Sequence, residues 1–274
     1  VVIAQSWVEA PRLDPSGTSW LPFPLLLQGG FMRLVLDDWL GARLLAILLG
    51  ALSSLLLYAA ARLSRVPAGV ALLVPLGFVC LPTAAPFSVA VVPEYFTAAL
   101  VVFGASTLLH TGRLRVLGAA TFFLATASRY ETWAAAAAFA ALCLIDTRKT
   151  RDAKIIAAAA LALAFPVIWM IHGQLHHGSA LFFVQRVTAY KLALGGDARG
   201  PLELASSYVV AWFTREPEIA LLTLGLLALG FVRRDDSKLD GVMARRFGFV
   251  GALVILVLSL GDLRGGAPTH HPER

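Results

Sequence analysis

The chain has 274 residues, of which 58% are hydrophobic and 15% are charged, and its formal net charge at pH 7 is +6. Soluble domains carry about 25% charged residues, so this composition excludes an ordinary soluble domain and indicates a polytopic membrane protein. The basic residues fall mainly between apolar segments, which is typical of membrane topology and not of a nucleic-acid-binding surface.

Residues 1–38 precede the first long apolar segment and are predicted to form an outer loop. Within them, SWLPFPLLLQGGFMRLV (19–35) is apolar but interrupted by prolines and by Gly29–Gly30. This pattern predicts an interfacial or re-entrant helix. Asp14 lies in RLDPSGTSW, where it is either a carboxylate that takes part in proton transfer or a turn residue before Pro15.

The rest of the chain divides into apolar segments that we expect to be membrane helices. We predict eight of them, at 39–61, 67–84, 91–109, 116–128, 132–145, 155–171, 218–232 and 247–260. A straight spanning helix needs about 20 residues, and short helices are typical of a bundle whose irregular backbone lines a polar cavity. The expected fold class is all-α, a polytopic transmembrane helix bundle with short interfacial or re-entrant helices in its outer loops.

The loops RLSR, HTGRLR, DTRKTRDAK and RRDDSKLDGVMARR hold 13 of the 23 Lys and Arg residues but only 5 of the 17 acidic ones. The positive-inside rule places all four in the cytoplasm. This requires the run 116–145 to turn back at Arg129–Glu131, as a helical hairpin with an outer tip. The predicted organisation is a single transmembrane domain over 1–274, with an outer loop 1–38, six membrane segments in 39–171, an outer loop 172–216, two membrane segments in 217–262 and an outer tail 263–274.

Charged groups at the hairpin tip are the first candidates for a functional role. Ionisable groups at membrane depth are costly and often functional. Either Arg129 holds an anionic group such as a phosphate, next to Tyr130 and Glu131, or the Arg129–Glu131 pair only caps two helices. Both readings follow from the same residues.

Two further outer stretches carry candidate residues. Glu94, in AVVPEYF, is either a carboxylate that faces a cavity or a helix-dipole partner at the start of the third segment. His172 and His176 are four residues apart, but no acidic residue completes a metal-binding pattern, so we predict no metal site. The polar and aromatic stretch that includes Arg186 and Lys191 suits either a sugar or lipid-phosphate headgroup or an interfacial helix.

Several stretches taken together carry a family resemblance. These are TSWLPFPLLLQGG, GARLLAILLGALSSLLLYAAARL, PFSVAVVPEYFTAALVV, ATASRYETW, HGSALFFVQ and THHPER. They resemble the GT-C superfamily of integral-membrane glycosyltransferases, which includes protein O-mannosyltransferase and aminoarabinose-transferase relatives. In the family, the first helix and the acidic residue at its outer end supply the proposed base; here we expect these to lie before this sequence, or the base to be Asp14. We therefore expect a fragment without the first helix and the C-terminal part.

The resemblance implies transfer of a hexosyl or pentosyl group from a polyprenyl-phosphate donor to an acceptor on the extracytoplasmic side of a membrane, expected to be a bacterial inner membrane. It implies no cofactor, although a divalent cation is compatible, and no nucleic-acid partner. The catalytic carboxylate would be Asp14, Glu94 or a residue upstream of this chain. The residues implied to bind the donor and its phosphate are Arg129, Tyr130, Glu131, Arg186 and Lys191. The alternative is a non-enzymatic transporter or envelope-assembly subunit, although transporters often contain repeats and none is visible here.

Overall fold

The computed structural model describes residues 2–14, 21–80, 92–193, 200–215, 217, 220–221, 223–225, 228 and 239–263. All secondary structure in these ranges is helical. The α-helices are α1 (Val2–Glu9), α2 (Pro22–Val35), α3 (Asp38–Leu63), α4 (Ala68–Ala71), α5 (Leu73–Cys80), α6 (Glu94–Ser106), α7 (Arg113–Thr126), α8 (Thr132–Thr150), α9 (Ala153–His177), α10 (Phe182–Ala193), α11 (Pro201–Arg215) and α12 (Leu239–Leu263).

Three helices in the described part of the chain are long and apolar enough to cross a membrane: Asp38–Leu63, Ala153–His177 and Gly241–Leu263. The all-helical fold class is thus confirmed together with three candidate spans, whereas eight crossings remain a prediction. The seventh predicted segment, 218–232, and the tail after residue 263 lie mostly outside the described residues.

The second predicted segment, 67–84, differs from expectation because it is not one helix. It forms the short helices α4 and α5, separated at Leu72, and residues 81–91 lie outside the described ranges. Pro75 explains the break. Its ring clashes with the carbonyl four residues earlier and it has no N–H to donate there, so the helix restarts with Pro75 in its first turn.

Helix α2 confirms the predicted helix within 19–35 but contradicts one detail of it. Gly29 and Gly30 were expected to interrupt the helix, yet both lie inside it. Gly29 is needed for packing, because a Cβ there would lie 2.5 Å from the Trp7 ring of α1. Pro22 and Pro24 are tolerated because first-turn N–H groups have no partner within a helix.

Helices α7 and α8 form the predicted hairpin, and the side chains show that its arms are antiparallel. Phe122 and Phe139 have ring centroids 4.7 Å apart near the middle of the arms. At the open end, Arg115 Nη2 lies 3.0 Å from Asp146 Oδ2. The turn at 127–131 reverses the chain, as the loop charges predicted. Helix α8 nevertheless continues to residue 150, into a stretch expected to be loop, because DTRKT is polar but still helix-compatible.

Alanine-rich packing holds this hairpin against α6 and α9. The largest buried cluster consists mainly of small side chains from these helices, among them Ala119, Ala136, Ala138, Ala158 and Ala162. Small residues let helix backbones approach closely, and this drives association where surrounding lipid is as apolar as the protein. The alanine runs of the sequence therefore form the centre of the bundle.

The basic loops meet at one end of the bundle, which we call the basic end (residues 62–65, 107–115, 143–154 and 239–246). His110 Nε2 lies 2.9 Å from the Leu63 carbonyl oxygen, which joins the first two loops. Arg246 Nη2 lies 2.7 Å from Asp146 Oδ1, which joins the last two. The described parts of the four loops therefore lie at one end of the bundle, as the prediction requires, and the side of a membrane that they face stays a prediction. The hairpin turn lies at the opposite end, called the tip end.

Candidate functional site

The tip end is built where six helix termini meet. The hairpin turn presents Arg129 through a backbone hydrogen bond from its N–H to the Ala125 carbonyl, 3.1 Å long. The Phe23 N–H, in the first turn of α2, donates to the Ala127 carbonyl at 3.2 Å and fixes α2 against the same turn. The start of α6 at Glu94 and the junction between α9 and α10 complete the site.

Arg129 lies between two carboxylates. Its Nη2 and Nε donate to the two oxygens of Glu131 at 2.7 and 3.2 Å, and its Nη1 donates to Glu94 Oε1 at 3.2 Å. These side chains are only 17–22% exposed. Burial lowers the pKa of Arg129, but Glu131 and then Glu94 outweigh it, so the net shift is upward and the guanidinium stays charged.

Glu94 has one engaged and one free oxygen. While Oε1 accepts from Arg129, Oε2 is buried and has no hydrogen-bond partner among the described residues. One turn further along α6, the buried hydroxyl of Thr97 is likewise without a partner in the described part of the chain. A buried carboxylate oxygen without a donor is costly for folding alone, and such groups are candidates for a functional role.

A second ion pair joins the N-terminal segment to α10. Arg186 Nη1 donates to Asp14 Oδ2 at 2.6 Å, with side chains 22% and 12% exposed. The guanidinium carbon of Arg186 lies 5.0 Å from the centroid of the Phe182 ring, a cation–π distance. Asp14 and Arg186 were predicted as separate candidates, and the fold brings them into direct contact across 172 positions of sequence.

Tyr130 connects the two ion pairs through an aromatic patch. Its ring stacks on Phe183 at 4.9 Å and contacts Trp133 at 5.2 Å. Its hydroxyl oxygen accepts a hydrogen bond from Trp169 Nε1 at 3.0 Å. Burial raises the pKa of Tyr130 and this outweighs the opposing hydrogen bond from Trp169, so the phenol stays neutral.

Three histidines border the aromatic patch at the end of α9. The rings of His172 and His176 have centroids 4.6 Å apart, and His177 stacks on Phe182 at 4.3 Å. His172 Nε2 is buried and has no partner among the described residues. Within those residues no group of three or more His, Cys, Asp or Glu side chains is arranged to hold a metal ion.

The tip end thus gathers almost all the candidates that the sequence singled out. Asp14, Glu94, Arg129, Tyr130, Glu131 and Arg186 all lie there. The side chain of Lys191 lies outside the described part of the chain, so its role in donor binding stays a prediction.

Sequence reasoning missed the aromatic residues that hold the site together, chiefly Trp133, Trp169 and Phe183. They lie within apolar segments, where their composition looks like ordinary membrane-helix packing. The cluster of aromatic residues close to RYETW and HGSALFF was the available signal.

Comparisons of the chain with family models, with curated proteins and with solved structures found no match. The resemblance to the GT-C superfamily therefore rests only on the short sequence stretches quoted above.

Proposed function

We propose that this chain transfers a sugar from a polyprenyl-phosphate donor to an acceptor, and that the tip end is the active site. The observation that carries the proposal is the assembly of Asp14, Glu94, the RYE turn and Arg186 at one end of an apolar helical bundle. These residues are up to 172 positions apart. Carboxylates and guanidinium groups next to an aromatic patch suit a reaction in which a phosphate leaves a sugar.

The position of the basic end supports an extracytoplasmic active site. Basic loops are retained in the cytoplasm, and the basic end is opposite the tip end in the bundle. The three apolar helices of spanning length fit insertion into a membrane. We therefore infer that the tip end faces the outer side, where a lipid-linked donor would present its sugar at the membrane surface.

Glu94 is the residue that we assign as the general base. A base needs an oxygen that is free to accept a proton, and Glu94 Oε2 has no partner among the described residues, whereas Asp14 Oδ2 is held by Arg186 at 2.6 Å. Glu94 would take the proton of the acceptor hydroxyl, whose oxygen then bonds to the anomeric carbon. The bond from that carbon to the phosphate oxygen breaks, and its electron pair leaves on polyprenyl phosphate.

The arginines would stabilise the charge that develops on the leaving phosphate. Fixed cations placed next to a developing anion stabilise the transition state more than the ground state. Arg129 is held rigidly by its two carboxylates, so it contributes a fixed positive charge. Arg186, whose guanidinium carbon lies 5.0 Å from the centroid of the Phe182 ring, would contribute hydrogen bonds as well.

The test uses the purified protein in lipid nanodiscs with radiolabelled hexosyl- and pentosyl-polyprenyl phosphates and a membrane extract as acceptor. We expect release of polyprenyl phosphate, slowed about 100-fold or more in Glu94→Gln, because loss of a general base costs about 10²–10⁴-fold. Gln keeps the oxygen that accepts from Arg129, so the fold is preserved. Glu9→Gln, an exposed residue at the end of α1, is the matched control.

Two results would contradict the proposal. Donor that stays intact under all these conditions would refute the transferase assignment. If the same protein moved the lipid-linked sugar across a vesicle bilayer without cleaving it, the transporter alternative would replace it. A fully active Glu94→Gln variant would remove Glu94 as the base.

A further inference from the structure

Arg186 differs from two other arginines of the bundle, Arg115 and Arg129, in how many of its hydrogen-bond donors are in use. In Arg115 at the basic end and Arg129 at the tip end, every guanidinium nitrogen donates to a protein acceptor. A guanidinium group has five N–H donors. Among the described residues, Arg186 uses only Nη1, toward Asp14. Arg186 therefore has Nε and Nη2 available for a second acceptor.

The surroundings of Arg186 favour an anion with several oxygens. Its guanidinium lies over the Phe182 ring, and the imidazole of His172 contacts the same ring at 6.4 Å between centroids. The Nε2 atom of His172 is buried and has no described partner. A phosphate group offers three acceptor oxygens and binds the arginine fork through two parallel hydrogen bonds.

Asp14 occupies the position that such an anion would take. It lies in the segment 11–14, which follows α1 and forms no helix. One carboxylate oxygen of Asp14 accepts from one nitrogen of Arg186 on α10 at 2.6 Å. The two side chains are largely buried, and breaking a buried ion pair is costly because it leaves a charge uncompensated. A bidentate phosphate keeps Arg186 compensated and forms two hydrogen bonds with it in place of one, so it can take the position of Asp14.

We propose that Arg186, with the imidazole of His172, forms a binding site for a phosphate group, and that Asp14 occupies this site as an internal anion until a phosphate displaces it. The proposal takes its ligand class from the proposed function but rests on the contacts of Arg186. The sequence analysis assigned phosphate binding to both Arg129 and Arg186, and the proposal gives the two arginines different roles. Arg129 is a fixed charge held in place by its two carboxylates, and Arg186 is the residue that exchanges one anion for another.

The test measures binding of inorganic phosphate by isothermal titration calorimetry to the whole chain in detergent micelles. Asp14→Asn removes the competing charge but keeps an oxygen, and we expect it to bind phosphate about 3- to 10-fold more tightly. Arg186→Gln is expected to weaken binding at least about tenfold. Arg186→Lys, which keeps the charge without the fork, should fall between wild type and Arg186→Gln.

Two exposed residues provide matched controls, Glu9→Gln in the same N-terminal segment and Arg113→Gln at the basic end. Neither should change the affinity for phosphate. Unchanged or weaker binding by Asp14→Asn, with an unchanged thermal melting curve, would overturn the role of Asp14. Full binding by Arg186→Gln would overturn the site itself, as would an effect of Arg113→Gln equal to that of Arg186→Gln.

A second titration with dodecyl phosphate identifies the source of the phosphate. Tighter binding than inorganic phosphate indicates a lipid headgroup, and equal binding indicates a phosphate from solution. Binding of neither probe refutes the proposal. The phosphate site and the proposed function can fail independently. If phosphate binding depends on Arg186 but no sugar is transferred, the transferase assignment is refuted and the phosphate site remains.

Discussion

Replacing Arg115 by Met should destabilise the bundle more than any other single arginine substitution at the basic end. Arg115 is 1% exposed. Its guanidinium donates to the carbonyls of Thr107, Leu108 and His110 at 2.7–3.2 Å and to Asp146 Oδ2 at 3.0 and 3.1 Å. This one side chain therefore closes the end of α6 and joins it to the second arm of the hairpin.

The size of the effect follows from which groups lose their partner. Removing one member of a buried ion pair costs about 3–5 kcal/mol when the other charge is left alone. Here Asp146 keeps Arg246, whose Nη2 lies 2.7 Å away, so that part of the cost is avoided. Among the described residues, the Leu108 carbonyl keeps Arg246 Nη1 and the Thr107 carbonyl keeps the His110 N–H. Only the His110 carbonyl then loses its donor, at about 1–3 kcal/mol. Met restores some apolar packing, and we expect a net loss of about 2 kcal/mol in unfolding free energy.

The assay is reversible unfolding of the purified protein in mixed micelles with increasing SDS, followed by far-ultraviolet circular dichroism. Arg113→Met, two residues earlier and exposed, is the matched control and should change stability by less than about 0.5 kcal/mol. A loss below about 1 kcal/mol for Arg115→Met would refute the reasoning, because it would mean that the carbonyls find other donors. An equal loss in Arg113→Met would show that the effect comes from helix α7 in general.

Two further predictions concern stability. Burial raises the pKa of the Tyr130 phenol above its ordinary 10.0, so above that pH the unfolded chain releases a proton that the folded protein keeps. The unfolding free energy should then fall with rising pH by about 1.4 kcal/mol per pH unit. SDS unfolding of the wild type between about pH 9 and 11 should show this slope, and the slope should be flatter in Tyr130→Phe. Equal slopes in the wild type and the variant would contradict the prediction. Gly118→Ala should cost about 1–3 kcal/mol, because its Cβ would lie 2.9 Å from Thr107 Cβ. Gly251→Ala, where nothing lies within 4 Å, should be neutral or stabilising by up to about 1 kcal/mol; equal losses in the two variants would refute the packing argument.

The loop charges gave the hairpin, and the reason is electrostatic and independent of packing detail. Four basic loops on one side of a membrane are compatible with the apolar run 116–145 only if it reverses direction. The structure places the reversal at 127–131 and brings the described parts of the loops to one end of the bundle. In contrast, the helix break at Leu72 was missed, because Pro75 lies within a strongly apolar stretch whose composition alone suggested one continuous segment.

Helix boundaries were also readable where a local signal marks them. Asp37 accepts a hydrogen bond from the Leu40 N–H at 2.7 Å and caps α3, and Asp152 accepts one from the Lys154 N–H at 2.9 Å and caps α9. N-terminal capping depends on residues two or three apart, so neighbouring sequence decides it. The sequence therefore determined the helical class, most helix positions, the hairpin and the common end of its basic loops.

Only the tertiary structure decided which charges meet. Asp14 pairs with Arg186 across 172 positions, and Glu94 shares Arg129 with Glu131. Arg115 looked like a topological marker and proved to be a buried junction of α6 and α8. Apolar runs of similar composition can pack against one another in many arrangements, because lipid and helix surfaces are equally apolar. Small residues and specific polar contacts choose among these arrangements, and those contacts exist only once the helices are in place.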